Sequence, residues 1–379
     1  MGAPTPGFQT AQTFRKPRTA NPFQGTRLPH RARVTLRGVA TVLADRPTPV
    51  SRVWAGSKII AEDLTGEDLS DVLELHSDAS AWWVLPRDHD YGAVEVRHIA
   101  QALDLDEPAI RDLLAEDRRA KFDVTGQARL VITNAVSVDK DKSLIKVQPV
   151  SMIATDRAVI CLVDPNPDFS PAQIFCHKEE IIAKGGIEAA VQMIIGAVIH
   201  SYQEALQWLE DSSDSLASAL FEERPLDKPE QLYAFKLRTA LSQLRRITDP
   251  MRTVMTDIVD SPPQSRKGKG GRDAAIGRHW VLLSEQHARV ANAADALREA
   301  LSSIFDTSLA LADVRLNQIM KKLTAWAAIL AVPTLVTSFV GMNVHFPLVG
   351  SLTGFWFYLL LMVTASVVLY FVFRAKDWL

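Results

Sequence analysis

The chain is poor in cysteine and lacks the short motifs of several enzyme classes. Its 379 residues contain two cysteines, Cys161 and Cys176. Two thiols exclude a disulfide framework and zinc-finger spacing, and they indicate a reducing cytoplasm. The nine histidines are scattered, and neither HExxH nor GxSxG occurs, so we expect no enzyme. The formal net charge of −2 indicates no polyanionic partner such as nucleic acid.

Acidic residues are absent from the start of the chain, before Asp45. The same stretch carries basic residues, at Arg15, Lys16, Arg18, Arg27, Arg31, Arg33 and Arg37. A basic segment rich in Pro, Gly and Thr is typical of disorder, because it has too little apolar surface to form a core. Residues 1–33 are therefore predicted to be a disordered cytoplasmic tail.

The remaining chain divides into three predicted parts. Residues 34–185 contain strand-like runs at 128–136, 144–155 and 158–163 and a helical stretch that Pro108 splits, which predicts a cytoplasmic α/β domain. Residues 186–322 show helical spacing of apolar side chains and predict long helices, with Pro250 as an interruption of the second and a stalk as the last. Residues 323–379 predict a transmembrane pore region. The expected fold class is an α+β membrane protein.

Two uncharged apolar stretches lie at the C-terminal end, at residues 323–340 and 352–373. Each is close to the roughly 20 residues that cross a bilayer core about 30 Å thick. Basic residues flank the outer ends of this pair, and the link 341–351 has no Lys or Arg. By the positive-inside rule, both termini are expected in the cytoplasm, with a multi-pass arrangement in the cell's inner (plasma) membrane.

The first span continues from a long predicted helix, because no proline occurs between residue 274 and Pro333. At about 1.5 Å per residue it would be roughly 100 Å long. Such a helix cannot bury its own faces, which predicts bundling with copies of itself. One of its faces carries acidic, amide, thioether, small and hydroxylated residues at steps of three, four or seven: Asp306, Asp313, Asn317, Met320, Thr324, Ala327, Ala331, Thr334 and Ser338.

This stripe of nine residues would lie against either a packed neighbouring helix or water. Carboxylates at its cytoplasmic end and Asn343 beyond its other end favour a cation pore. Neutral amide oxygens at Asn343 would hydrogen-bond the waters that Mg²⁺ keeps, and Gly341 would let the helix end there. Met320 and Leu323 are candidates for an apolar gate, with simple bundle packing as the alternative.

The segment from Asn317 through Met320, Leu323 and Thr324 to Gly341-Met342-Asn343 resembles the signature of the CorA family of magnesium transporters. The resemblance implies a homopentamer with a cytoplasmic α/β funnel, a long stalk helix and two C-terminal transmembrane helices per subunit. It implies an outward selectivity filter and a pore lined by residues of the stalk. The filter would be Gly341, Met342 and Asn343, and the pore positions Asn317, Met320, Leu323 and Thr334, with Asp306 inside the funnel. Mg²⁺, or another divalent cation such as Co²⁺ or Ni²⁺, would be the transported substrate, with no other cofactor.

The loop after the filter departs from many magnesium-selective members, because residues 344–350 contain no carboxylate. It resembles the zinc-transporting branch of the family, and His345 suits Zn²⁺, Co²⁺ or Ni²⁺ better than Mg²⁺. Candidate metal ligands are therefore Asn343, Asp306 and His345. A Zn²⁺ transporter, with or without proton coupling, is the alternative function. A membrane-tethered scaffold is the alternative hypothesis outside transport.

Overall fold

The computed structural model describes residues 50–56, 58–87, 91–115, 119–165, 167–261, 270–342 and 351–379. All of them belong to one compact unit, Pro49–Leu379. The described strands are β1 Val50–Ala55, β2 Lys58–Glu62, β3 Ala79–Pro86, β4 Lys121–Thr125, β5 Ala128–Asp139, β6 Leu144–Ala154 and β7 Ala158–Val163. The described helices are α1 Gly66–Leu75, α2 Tyr91–Ala102, α3 Glu107–Leu114, α4 Pro171–His177, α5 Glu179–Phe221, α6 Lys228–Asp260, α7 Gly270–Val340 and α8 Leu352–Ala375.

The seven strands form one sheet in the order β2-β1-β3-β7-β6-β5-β4. Strands β3 and β7 are parallel, and the other neighbours are antiparallel. Successive side chains of a strand point to opposite faces, and the parallel strands β3 and β7 have apolar residues on both faces. Trp82 and Cys161 pack with one core cluster, whereas Trp83 and Ile160 pack with the other. The sheet is therefore covered on both faces.

Each face of the sheet has its own helices. The core cluster of one face contains residues of α1, α2 and α3, including the buried Leu69, Ile99 and Leu113. The other cluster contains residues of α4, α5, α6 and α7. The α/β expectation is confirmed, with β7 at its predicted limits. The domain also contains strands β1 to β3, which the sequence patterns did not predict before the helices α2 and α3.

Helix α5 bends at Gly186, whose φ of 72° lies in the left-handed region. Glycine adopts this conformation without the steric cost that a Cβ would bring. Helix α6 begins with a capping box, in which the Glu230 amide donates to Asp227 at 2.9 Å and the Asp227 amide donates to Glu230 at 2.8 Å. The predicted interruption at Pro250 is wrong, because α6 continues through it. Buried side chains on both sides of the proline, including Ile247 and Met251, offset the lost hydrogen bond.

Among the described residues, three helices are long and apolar enough to cross a membrane. In the first, Glu179–Ser218, the apolar side chains belong to the core beneath the sheet, with Ile194, Ile195 and Val198 fully buried. The other two, Ala275–Val340 and Leu352–Ala375, expose their apolar ends. These are the two spans that the sequence predicts. The limits of the four predicted parts of the chain, at 1–33, 34–185, 186–322 and 323–379, stay predictions.

Candidate functional site

Helix α7 connects the covered sheet to the apolar C-terminal end without a break. Its first half packs into the core through Trp280, Leu283, Val290, Ala294 and Leu301. Buried positions then become rare, and after Ser308 the next one is Ala325, inside the predicted span. The second half of α7 therefore extends beyond the domain that holds the first half.

The predicted stripe lies on an open face of this extension. All nine of its members are exposed, namely Asp306, Asp313, Asn317, Met320, Thr324, Ala327, Ala331, Thr334 and Ser338. Residues of α7 that are buried or half-buried in the span lie on another face: Ala325, Ala328, Ile329, Val332, Pro333, Val336 and Val340. At 3.6 residues per turn these two sets point in different directions. Helix α8, which packs along α7, therefore covers one face and leaves the stripe open.

Two hydroxyl groups near the end of the span are bound to the helix itself. The Thr334 hydroxyl donates to the Leu330 carbonyl at 3.0 Å, and the Thr337 hydroxyl donates to the Pro333 carbonyl at 2.9 Å. A threonine hydroxyl has one hydrogen and two lone pairs. Because the hydrogen is used on the backbone, Thr334 presents oxygen lone pairs to the open face. Such a group can accept from the water shell of a cation or bind the cation directly.

Helix α7 ends at the predicted filter. The Gly341 amide donates to the Thr337 carbonyl at 2.9 Å, and the Met342 amide donates to the Phe339 carbonyl at 3.3 Å. A Cβ at Gly341 would lie 3.2 Å from the Thr337 carbonyl oxygen, so a larger residue would crowd the helix end. The Met342 side chain is exposed. Asn343 and His345 lie outside the described residues.

The charged and apolar candidates between the sheet domain and the first span are also open. Asp306 and Asp313 are exposed, and so are Met320 and Leu323. Within the described ranges, no group of three or more His, Cys, Asp or Glu side chains is placed to hold a metal ion. One copy of the described chain thus offers single oxygen ligands along a face rather than a chelating cage.

The structure also reveals an anchor of α7 that the sequence patterns did not indicate. The Trp280 indole donates to the Glu188 carboxylate at 2.6 Å, and the same carboxylate forms an ion pair with Arg129 of β5. One turn along α5, the Gln192 amide donates to the Ile276 carbonyl at 3.0 Å. These contacts tie the beginning of α7 to the sheet. Their partners are far apart in the sequence, so no local spacing could have found them.

The chain matches the family model described as CorA-like Mg²⁺ transporter protein over residues 80–375. It is 23% identical over 322 residues to the cobalt/magnesium transport protein CorA of Thermotoga maritima, a match that covers 82% of this chain and 87% of the relative. The protein of the same name from Methanocaldococcus jannaschii is 27% identical over 207 residues, which are 54% of this chain and 63% of that relative, just under two thirds of its length.

The fold has a solved counterpart. The complete structure of the CorA magnesium transporter from Methanocaldococcus jannaschii matches with a TM-score of 0.66 and 18% identity, covering 88% of this chain and 99% of the other. At this identity the likeness establishes the shared fold. That fold includes both the covered sheet and the long helix with its apolar end.

Proposed function

Because the chain belongs to the CorA-like Mg²⁺ transporter family, whose members are ion transporters and not enzymes, we propose that it carries divalent metal cations across a membrane. Mg²⁺ is the principal substrate, with Co²⁺ and Ni²⁺ as further ones. The chain works as a homopentamer in the cell's inner (plasma) membrane, with both termini in the cytoplasm. Five copies of α7 surround the pore, and Gly341, Met342 and Asn343 form its outward filter.

The open stripe on α7 is the observation that carries this proposal. Helix α8 occupies another face of the span, and the stripe of small, hydroxylated, amide and acidic residues remains uncovered. An exposed polar face in a membrane helix has to meet water or a partner, because lipid cannot satisfy it. A ring of copies would bring five stripes together around water. Rings of oxygen ligands then attract cations and release them.

The chemistry of the stripe favours a hydrated ion. Mg²⁺ loses its water slowly and is usually bound with several waters in place. The described residues form no chelating cluster within one subunit, which suits passage better than retention. Asp306 and Asp313 would raise the cation concentration at the cytoplasmic end. Met320 and Leu323, both more than half exposed at 51% and 62%, would form an apolar constriction that closes by losing water.

A pair of neighbouring amides provides the sharpest test. Asn317 belongs to the stripe, whereas Gln318 is exposed on another side of the same turn. We expect Asn317→Ala to reduce Mg²⁺ uptake into proteoliposomes and Gln318→Ala to leave it near the wild-type rate. The two variants remove the same chemical group from adjacent positions, so a general effect on folding or insertion would affect both. Equal uptake by both variants would contradict a pore along this face.

The filter and the assembly need separate measurements. Asn343→Ala should abolish Mg²⁺ uptake, because the amide ring that holds the hydrated ion is then gone. Native mass spectrometry of the full chain should show five copies per particle. Uptake that survives Asn343→Ala would remove the filter assignment, and absence of any ion flux in the wild type would favour a membrane-tethered scaffold.

Zinc transport is the second candidate, and one sequence observation favours it. The loop 344–350 has no carboxylate and contains His345, and imidazole is a better ligand for Zn²⁺ than for Mg²⁺. Uptake of Zn²⁺ and Mg²⁺ should therefore be measured separately, with and without a pH gradient. Mg²⁺ uptake that ignores the gradient supports the principal proposal. Zn²⁺ uptake that follows the gradient, without Mg²⁺ uptake, would replace it.

A further inference from the structure

An apolar cavity lies between the end of α7 and the beginning of α8. Its volume is about 430 Å³, within the range of roughly 300–1,000 Å³ typical of ligand pockets. Its wall includes Val336 and Val340 from α7, Gly341 directly after that helix, and Gly354, Phe355 and Met362 from α8. Gly354 is the one buried residue among the described positions of α8. The absence of a side chain there leaves space between the two helices.

Three polar side chains line this cavity, those of Thr337, Ser351 and Tyr358, and each already has an interaction within the protein. The Thr337 hydroxyl donates to the backbone carbonyls of Pro333 and Thr334, at 2.9 Å and 3.0 Å. The Ser351 hydroxyl accepts from the Gly354 amide at 3.1 Å. Water needs two to four polar partners to occupy a cavity, and an ion needs more. An apolar ligand is the chemistry that this wall suits.

The cavity lies on the side of α7 away from the stripe. Val336 and Val340 are half a turn or so from Ala331, Thr334 and Ser338 at the helical period. If the stripe faces a pore, as the proposed function requires, the cavity faces the surrounding bilayer. Exposed apolar side chains beside the cavity also indicate contact with the bilayer, because Leu352 is 77% exposed and Phe355 is 60% exposed. Hydrocarbon covers such side chains in a membrane.

We propose that this cavity binds an acyl chain of a bilayer lipid, inserted between α7 and α8. Leaving it empty would forfeit dispersion contacts with its apolar wall, and lipid is the apolar partner present at this depth. The bound chain contacts Gly341, the first residue of the proposed filter. Its presence therefore supports the spacing between the filter end of α7 and the start of α8. The rest of the cavity wall lies on a different face of α7 from the stripe.

Photo-crosslinking of the full chain in lipid vesicles tests the site. The probe is a phosphatidylcholine with a diazirine on its acyl chain, and labelled peptides are identified by mass spectrometry. In the wild type we expect labels concentrated on cavity residues such as Gly354 and Met362. Val340→Phe should reduce that label several-fold by filling the space from α7, and Met362→Trp should reduce the label on α7 by filling it from α8.

A matched control separates a bound chain from the general lipid coat. Val363 is 50% exposed on α8 and is outside the cavity wall, so Val363→Phe should leave the cavity label unchanged. A label that is equal on all exposed apolar residues, or that ignores both filling variants, would overturn the proposal. So would exclusion of lipid from the cavity by protein–protein contact between subunits, seen as no label there.

The same samples keep this proposal distinct from the proposed function. Uptake of Mg²⁺ by the Asn317→Ala and Gln318→Ala pair reports on the pore, and the lipid label reports on the cavity. If the uptake pair differs as expected but the cavity is unlabelled, the lipid site alone fails. If the cavity is labelled and Val340→Phe reduces that label, but Asn317→Ala and Gln318→Ala do not differ in uptake, the pore assignment alone fails.

Discussion

Replacing Glu188 should loosen the beginning of α7 from the sheet. Its carboxylate accepts from the Trp280 indole at 2.6 Å and pairs with Arg129. Both charged side chains are largely buried, at 13% and 12% exposure. Glu188→Gln keeps the shape and can still accept from the indole. It leaves the Arg129 guanidinium in a poorly hydrated site without its counter-charge.

The size of the effect follows from that burial. Removing one partner of a buried ion pair costs about 3–5 kcal/mol, mostly through the charge left behind. Because both side chains keep some contact with water, we expect the lower end, about 3 kcal/mol. Replacing the pair with apolar residues, in Arg129→Met with Glu188→Leu, removes both charges. That double variant should lose less, about 1–2 kcal/mol, chiefly from the unpaired Trp280 N–H.

Thermal unfolding of the full chain in detergent, followed by tryptophan fluorescence, measures the difference. A loss of 3 kcal/mol corresponds to a lower apparent midpoint by about 6 °C at roughly 2 °C per kcal/mol. Unfolding of such a protein is expected to be irreversible, so all variants are scanned at one rate. The reasoning is refuted if Glu188→Gln unfolds at the wild-type temperature. It is refuted equally if the double variant is less stable than Glu188→Gln.

Three further predictions concern the pore, the bend in α5 and a buried imidazole. Thr334→Val should lower Mg²⁺ uptake several-fold because it removes an oxygen from the stripe, whereas Thr337→Val, off the stripe, should not; equal rates would contradict the assignment of the face. Gly186→Ala should lower the apparent unfolding midpoint by the equivalent of about 1–2 kcal/mol, because a φ of 72° is unfavourable for alanine. Gly277→Ala, at an open helical position, should raise the midpoint. Equal responses of the two variants would show that the bend is unstrained. Burial lowers the pKa of His287 from 6.5 to about 4, so the unfolded chain binds its proton first as the pH falls. The contribution of His287 to the free energy of unfolding is therefore complete above pH 6.5 and is lost between pH 6.5 and 4, by about 2 kcal/mol at pH 5. His287→Gln should remove that part of the acid sensitivity of the unfolding midpoint. An unchanged pH profile would show that His287 does not cause it.

Parts of the fold were accessible from the sequence because their signals are local. The strand Ala158–Val163 consists of apolar and β-branched residues between turns, and it was predicted at its observed limits. The split between α2 and α3 follows from Pro108, which lies in the first turn of α3. Gly186 marked the change to long helices and is where the α5 backbone bends. In each case a few neighbouring residues decide the backbone conformation.

Other parts were missed or wrong for a common reason. Strand β3, with Trp82 and Trp83, is a strand because its two faces meet two different cores, which no alternation in the chain reveals. Pro250 reads as a helix break from its own chemistry, but the packing of α6 on the core overrides that preference. Glu188 looks like an ordinary surface residue of a helix. Its role depends on Trp280, 92 residues away.

The sequence by itself determined the two apolar spans, the long helix that leads into the first of them, and the stripe of oxygen-bearing and small residues along it. These are properties of hydropathy and helical period, which add up residue by residue along one segment. The tertiary structure alone decided that β3 pairs with β7 in parallel, and that α7 is tied to the sheet through Glu188. It also decided that α8 covers the face of α7 opposite the stripe. These are choices among many possible partners, and the packing of distant side chains makes them.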